Sequence, residues 1–217
     1  MPRRHSFHVV VPMAQGDTDV TICSHALLLL GEQEISSFAD GTTISGVCEK
    51  LYPDVRDMTL SMYPWSWART KVQLQQLSSS PTNEWTYAYQ MPADVLTGTP
   101  LAVFNTSSAG AKPLQVGWEI YSDQLLTEET TIYVDYLASV SEASMPSYFV
   151  TLLKYMMASH LAEVVTDQIT KADYWRTLAL GPLSENGRGG YFRQAMNIDG
   201  RGNLPKEFLT FPLTDVR

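Results

Sequence analysis

The chain has 217 residues, of which 44% are hydrophobic, 11% aromatic and 18% charged, with 15 Lys and Arg against 23 Asp and Glu for a net charge of −8. That length supports a sizeable core, while the charged share lies below the roughly 25% usual in soluble domains, so part of the surface is expected to meet a partner or further copies. The longest uninterrupted apolar run, Ala26 to Leu30, rules out a membrane-spanning helix, and the acidic balance disfavours a nucleic-acid gripping role.

Residues 1–16, MPRRHSFHVVVPMAQG, carry two arginines, but His8 and Pro12 break the apolar stretch that a signal peptide needs, so a flexible N-terminal arm is expected. From Asp17 to Leu30 the residues Val20, Cys23, Leu27 and Leu30 fall on one helical face, widened by Ile22, Ala26 and Leu29, and Gly31 supplies the stop. A second helix, capped by Thr42 or Thr43, carries Ile44, Val47, Cys48, Leu51, Val55, Met58 and Met62. Pro53 inside it predicts a kink, and Pro64 ends it. Cys23 and Cys48 each sit in an apolar helical pattern, which suits two buried, unpaired thiols in a reducing cytoplasm.

Residues 68–143 change character. Val-, Ile-, Tyr-, Thr- and Trp-rich runs at 85–90, 101–104, 116–121 and 130–137 are divided by turn clusters such as SSSPTN and TSSAGAKP, the pattern of an antiparallel β segment. In the last run Ile132, Val134 and Tyr136 share one face, opposite Tyr133 and Asp135. Helical spacing returns after a capping Ser144 and Pro146, with Phe149, Leu152, Leu153, Met156 and His160 on one stripe. A fourth helix carries Ala172, Trp175, Leu178 and Ala179 and stops at Gly181-Pro182. The Gly-rich residues from 186 onward predict an extended arm. The fold class is α+β: a mainly helical bundle (17–67 with 144–185), an inserted antiparallel β domain (68–143) and a C-terminal arm (186–217).

Charge is unevenly spread. Residues 72–170 hold two basic residues, Lys112 and Lys154, against ten acidic ones, whereas residues 171–217 hold seven basic and five acidic. The middle segment is therefore expected to repel phosphate.

No sequence signature of a catalytic centre stands out: CxxC, HExxH, Walker and GxGxxG patterns are absent. His160, Glu163 and Asp167 share a helical face, but di-metal bundles use Glu-x-x-His and need it twice, so a polar helix edge is expected and no metal or other cofactor. Glu32, Glu34 and Asp40 share one loop and offer the carboxylates of a glycosidase-like site. Trp65 and Trp67 suit either a stacking platform for a sugar or base or, the favoured reading, a plug between the helices and the β segment. The single GRGG run at 187–190 reads as a turn more readily than as an RNA-binding segment.

The runs ALLLLGEQEISSFADGT, VCEKLYPDVRDMTLSMYPWSWARTKVQL, YAYQMPADVL and IYVDYLASVSEASMPSYFVTLLKYMMASHLAEVVT together resemble the head-to-tail adaptor (tail tubular protein A) family of short-tailed phages. The most distinctive parts are Tyr52, Val55-Arg56-Asp57 and the YPWSWA end of the second helix, followed by Tyr-Gln-x-Pro-x-Asp at Tyr89 to Asp94. The matching stretches cover residues 18–170 in the same order. The resemblance implies a structural virion protein, not an enzyme, located at the phage neck. It would form a ring of twelve copies between portal protein and tail nozzle protein, through which double-stranded DNA passes without tight binding. Portal docking in that family is attributed to a C-terminal extension, whose counterpart here is the arm. Arg201, Lys206, Phe208, Leu209, Phe211, Leu213 and Arg217 are its expected partner-binding residues. The competing expectation is a tail-associated peptidoglycan hydrolase using the Glu32–Asp40 loop.

Overall fold

The structure, a computed structural model, describes residues 17–202. The expected arm at 1–16 lies outside the described residues, as do residues 203–217. Within them the chain is mixed α+β, with five helices and two three-stranded antiparallel sheets.

Helix α1 (Asp19–Leu30) begins where Thr18 and Thr21 cap each other reciprocally. It ends at Gly31, whose φ of 82° is open to glycine at little cost, and the turn is closed by Gly31 N–H to Leu28 and Glu32 N–H to Leu27. Its buried face is Ile22, Cys23, Ala26, Leu27 and Leu30, while Leu29 points outward against expectation. Helix α2 (Thr43–Ser61), capped by the Thr42 hydroxyl, continues through an exposed Pro53 without splitting. Its buried face is Ser45, Cys48, Tyr52, Val55 and Thr59, a rotation away from the expected stripe that leaves Ile44, Val47 and Leu51 half-buried and Met58 exposed. The expected stripe weighted hydrophobicity alone. Ser45 and Thr59 enter the core because their hydroxyls bond back to the carbonyls of Thr42 and Val55.

Helix α3 (Ser147–Thr166) is the axis against which α1, α2, α4 (Ile169–Leu180) and α5 (Gly190–Gly200) all pack. Ser144 does not cap it. That residue closes a 3-10 turn over Glu142–Ser144, and Pro146 itself takes the cap position with no side-chain bond. Phe149, Leu152, Leu153 and Met156 are buried as the spacing predicts, but His160 is exposed.

The β segment forms between α2 and α3. One sheet has the order β1 (Arg69–Gln73), β6 (Tyr133–Leu137), β3 (Ala102–Phe104); the other has β2 (Tyr87–Gln90), β5 (Gln124–Thr127), β4 (Trp118–Tyr121). Ile132, Val134 and Tyr136 are buried on one face, as the alternation predicts. A second apolar core, including Leu74, Tyr89, Val103, Leu125 and Val134, fills the space under the strands. Strands β1 and β5 were not expected from the sequence. β5 is joined to β4 by the two-residue turn Ser122-Asp123, with Tyr121 paired to Gln124 and Ser122 at φ 54°.

The arm expected from residue 186 is not extended where the structure describes it. α5 follows a tight corner in which Gly189 N–H bonds the Leu180 carbonyl, and it buries Phe192 and Ala195 in the helical core. GRGG is thus the corner between α4 and α5, where a Cβ on Gly190 would lie 2.6 Å from backbone atoms of both Gly181 and Leu178.

Candidate interaction surfaces

The YPWSWA end of α2 runs into a 3-10 turn, Ser66–Ala68, that leads directly to β1. Trp65 is fully buried there, with Phe149 5.1 Å, Phe192 6.0 Å, Tyr63 5.0 Å and Trp67 6.4 Å away between ring centroids. It plugs the joint, and that burial removes it from any sugar-stacking platform. Beside it the buried Asp199 of α5 accepts three bonds: Ser66 N–H at 2.9 Å, the Ser66 hydroxyl at 2.7 Å and the Tyr148 hydroxyl at 2.7 Å. Burial, reinforced by Asp199, pushes the Tyr148 hydroxyl above its ordinary range. The carboxylate ties α5 to the end of α2 and the start of α3.

The other residues quoted for the resemblance also sit at joints. Tyr52 donates its hydroxyl to Glu142 at 3.1 Å, and Arg56 bridges Glu142 at 3.3 Å and Asp57 at 2.8 Å, which fixes α2 to the entry of α3. Tyr89 donates to the Glu129 carbonyl at 2.8 Å. Tyr136 donates to Asp94 at 2.9 Å, and burial with that bond pushes its hydroxyl up to about 12.

The residues singled out for chemistry are less well assembled. Asp40 is occupied by the backbone N–H groups of Ser36 and Ser37, at 2.8 and 3.0 Å, and these hold its carboxyl below the usual aspartate value. Glu34 and Asp40 share a shallow depression of about 420 Å³ with His25, and Glu32 does not line it. His160, Glu163 and Asp167 are all exposed, and among the described residues no group of three His, Cys, Asp or Glu is arranged to hold a metal ion. Cys23 and Cys48 are free and buried side by side, each affecting the other's titration.

Of the seven expected partner-binding residues, Arg201 is exposed just beyond α5. Lys206, Phe208, Leu209, Phe211, Leu213 and Arg217 lie outside the described residues.

Two surfaces stand out instead. Around the β2-β5-β4 sheet, Glu84, Glu119, Asp123 and Glu128 are exposed, and Glu119 and then Glu84 raise the hydroxyl of the exposed Tyr121 above its ordinary value. The second is apolar. Half of the twelve exposed large hydrophobics of the described chain lie between residues 164 and 198: Val164, Ile169, Tyr174, Leu178, Leu183 and Ile198. Between α4 and α5 this region opens a groove of about 590 Å³ lined by Tyr155, Tyr174, Leu178 and Tyr191. Within the lining Tyr155 stands 5.5 Å from Tyr191, and it also stands 5.6 Å from Trp175, which does not line the groove. Sequence reasoning missed the groove because its walls come from two helices, one of which was read as extended. The available signal was Ile169 and Tyr174, which fall off the expected Ala172–Trp175–Leu178–Ala179 stripe of α4, and Leu178, placed on that stripe, is itself exposed on the groove.

Comparison of the chain with protein-family models and with curated proteins finds no match.

Proposed function

We propose that the protein is a structural component of a phage virion, a head-to-tail adaptor that forms a ring between portal and nozzle and lets the genome through. The observation that carries this reading is the concentration of exposed apolar side chains at 164–198. A closed ring needs two different complementary patches on each subunit, and the exposed apolar side chains distributed along the end of α3, α4 and α5 suit one of them. The order and placement of the quoted motifs support it as well. Tyr52, Arg56, Trp65, Tyr89 and Asp94 join elements to one another, which is the work expected of residues that shape a rigid connector.

The finer architecture belongs to the same proposal. The helices packed on α3 form the bundle that meets neighbouring subunits, the strands form an inserted domain, and the segment beyond Gly202 is the extension that docks on the portal. The acidic surface near Glu84, Glu119 and Asp123 lines the channel and denies phosphates the cation contacts that would retain them. In the hydrolase alternative the loop at 32–40 would supply a general acid. Asp40 is held ionised by its backbone bonds, which makes it a poor proton donor.

Electron microscopy of the purified protein, alone and mixed with portal, tests the proposal. Closed rings seated on the portal are expected. A protein that never forms rings and clears cell walls, with clearing lost in Glu34→Gln, would overturn it.

A further inference from the structure

We propose that in the unassembled subunit residues 203–217 fold back and occupy the α4–α5 groove of their own chain. The inference needs the groove and the reach of the chain, and does not rest on the adaptor reading. α5 carries one wall of the groove at Gly190, Tyr191 and Gln194, and the described chain reaches Gly202 just beyond the far end of that helix. From Tyr191 to Gly202 the return path along the helix is about 17 Å at 1.5 Å per residue. An extended chain advances roughly 3.4 Å per residue, so Phe208, six residues past Gly202, reaches about 20 Å back, and Phe211 and Leu213 reach beyond it.

The chemistry of the segment matches the groove. Phe208, Leu209, Phe211 and Leu213 place four large apolar side chains within six residues. The groove offers Tyr174 and Leu178, both exposed, together with the rings of Tyr155 and Tyr191, so edge-to-face stacking and apolar burial are both available. Asp173 is the one charged residue among those lining it, and the segment brings Lys206 two positions before Phe208. Tethering raises the effective concentration of the segment to the millimolar range, so even a contact of modest intrinsic affinity is filled in cis. Its occupancy would cover the apolar face of a free subunit and leave it open once the segment is drawn to a partner.

Hydrogen exchange on the full-length chain decides the matter, comparing the natural sequence with a Phe208→Ser, Phe211→Ser double variant and with Leu178→Glu. Leu178 is exposed, so its replacement leaves the core intact. Docking in cis predicts that amides in 205–213 and in 169–180 exchange roughly tenfold more slowly in the natural chain than in either variant, corresponding to about 90% occupancy at millimolar effective concentration. The protection should be the same at about 1 µM and about 100 µM protein. Equal exchange in all three proteins would overturn the proposal. So would protection that grows with concentration, because the occupant would then be a second copy.

Discussion

Trp65 and Asp199 show at the level of single residues how the joint between α2, α3 and α5 is held. The Trp65 ring is fully buried with aromatic rings on several sides, yet its Nε1 is buried with no acceptor among the described residues. Its value therefore lies in packing and not in hydrogen bonding. Trp65→Ala should cost about 3–5 kcal/mol of unfolding free energy, whereas Trp65→Phe, which removes the orphaned N–H together with part of the ring, should cost no more than about 2 kcal/mol. Urea denaturation of the two variants checks the difference. Asp199 behaves in the opposite way, because its worth is in the bonds it accepts. Asp199→Ala leaves Ser66 and Tyr148 donors without a partner and should cost about 3 kcal/mol in the same assay, with exchange at α5 rising most. Asp40 gives a pH test. Its folded-state pKa is depressed by the N–H groups of Ser36 and Ser37, so its stabilising contribution is complete above the unfolded value of about 3.9 and is lost as pH falls through the folded one. Asp40→Asn should therefore lower stability mainly above about pH 4, with the difference from the natural protein shrinking as pH falls further, read by thermal unfolding across pH.

At the level of elements, α2 and the α4–α5 corner carry opposite backbone demands. Pro53 stands in the interior of α2, exposed, where it cannot donate to the Glu49 carbonyl. Pro53→Ala restores a donor and improves helix propensity, against a smaller gain in unfolded-chain entropy. It should raise stability by about 1–3 kcal/mol, seen as a higher denaturation midpoint at unchanged slope. Gly190 is the reverse case: at φ 51° and pressed against the backbone of Gly181 and Leu178, it has no room for a methyl group. Gly190→Ala should loosen α5 from the rest, with a loss of more than about 2 kcal/mol and faster exchange across 190–200. The same contrast explains what was legible beforehand. α1 announces itself through apolar spacing and a Gly stop, α2 through its Thr cap, α3 through long apolar spacing, and β6 through the alternation of Ile132, Val134 and Tyr136. α5 was hidden because its glycines at 187, 189 and 190 look like an unstructured run, although Phe192, Ala195 and Asp199 keep helical spacing and are buried. β1 was hidden by its charges at Arg69 and Lys71, which an edge strand tolerates, and β5 by lacking alternation, since Leu125, Leu126 and Thr127 are buried in succession. The groove could not be seen at all without α5, because its wall at Tyr191 did not yet exist as a surface.

For the whole molecule the decisive quantity is how charge is distributed relative to the proposed channel. A duplex presents one phosphate charge per about 1.7 Å, and every Lys or Arg that meets a phosphate releases counterions and adds affinity that fades with salt. A surface that carries Glu84, Glu119 and Asp123 exposed, with Lys112 the one basic residue between Lys71 and Lys154, offers little such contact. The expectation is that the assembled ring leaves duplex DNA unretarded at physiological salt. Replacing Glu84 and Asp123 with Lys changes two exposed positions and shifts the subunit charge from −8 to −4. If these positions line the channel, the variant ring should bind duplex DNA with a logarithmic salt slope steeper by about 0.9 for each phosphate newly contacted, while ring formation is unchanged. Electrophoretic retardation across a salt series, with microscopy as the control for assembly, measures both. Tight, salt-sensitive binding by the natural ring would show that its channel attracts the genome, and a variant ring that still ignores DNA would move the acidic surface to the outside of the assembly.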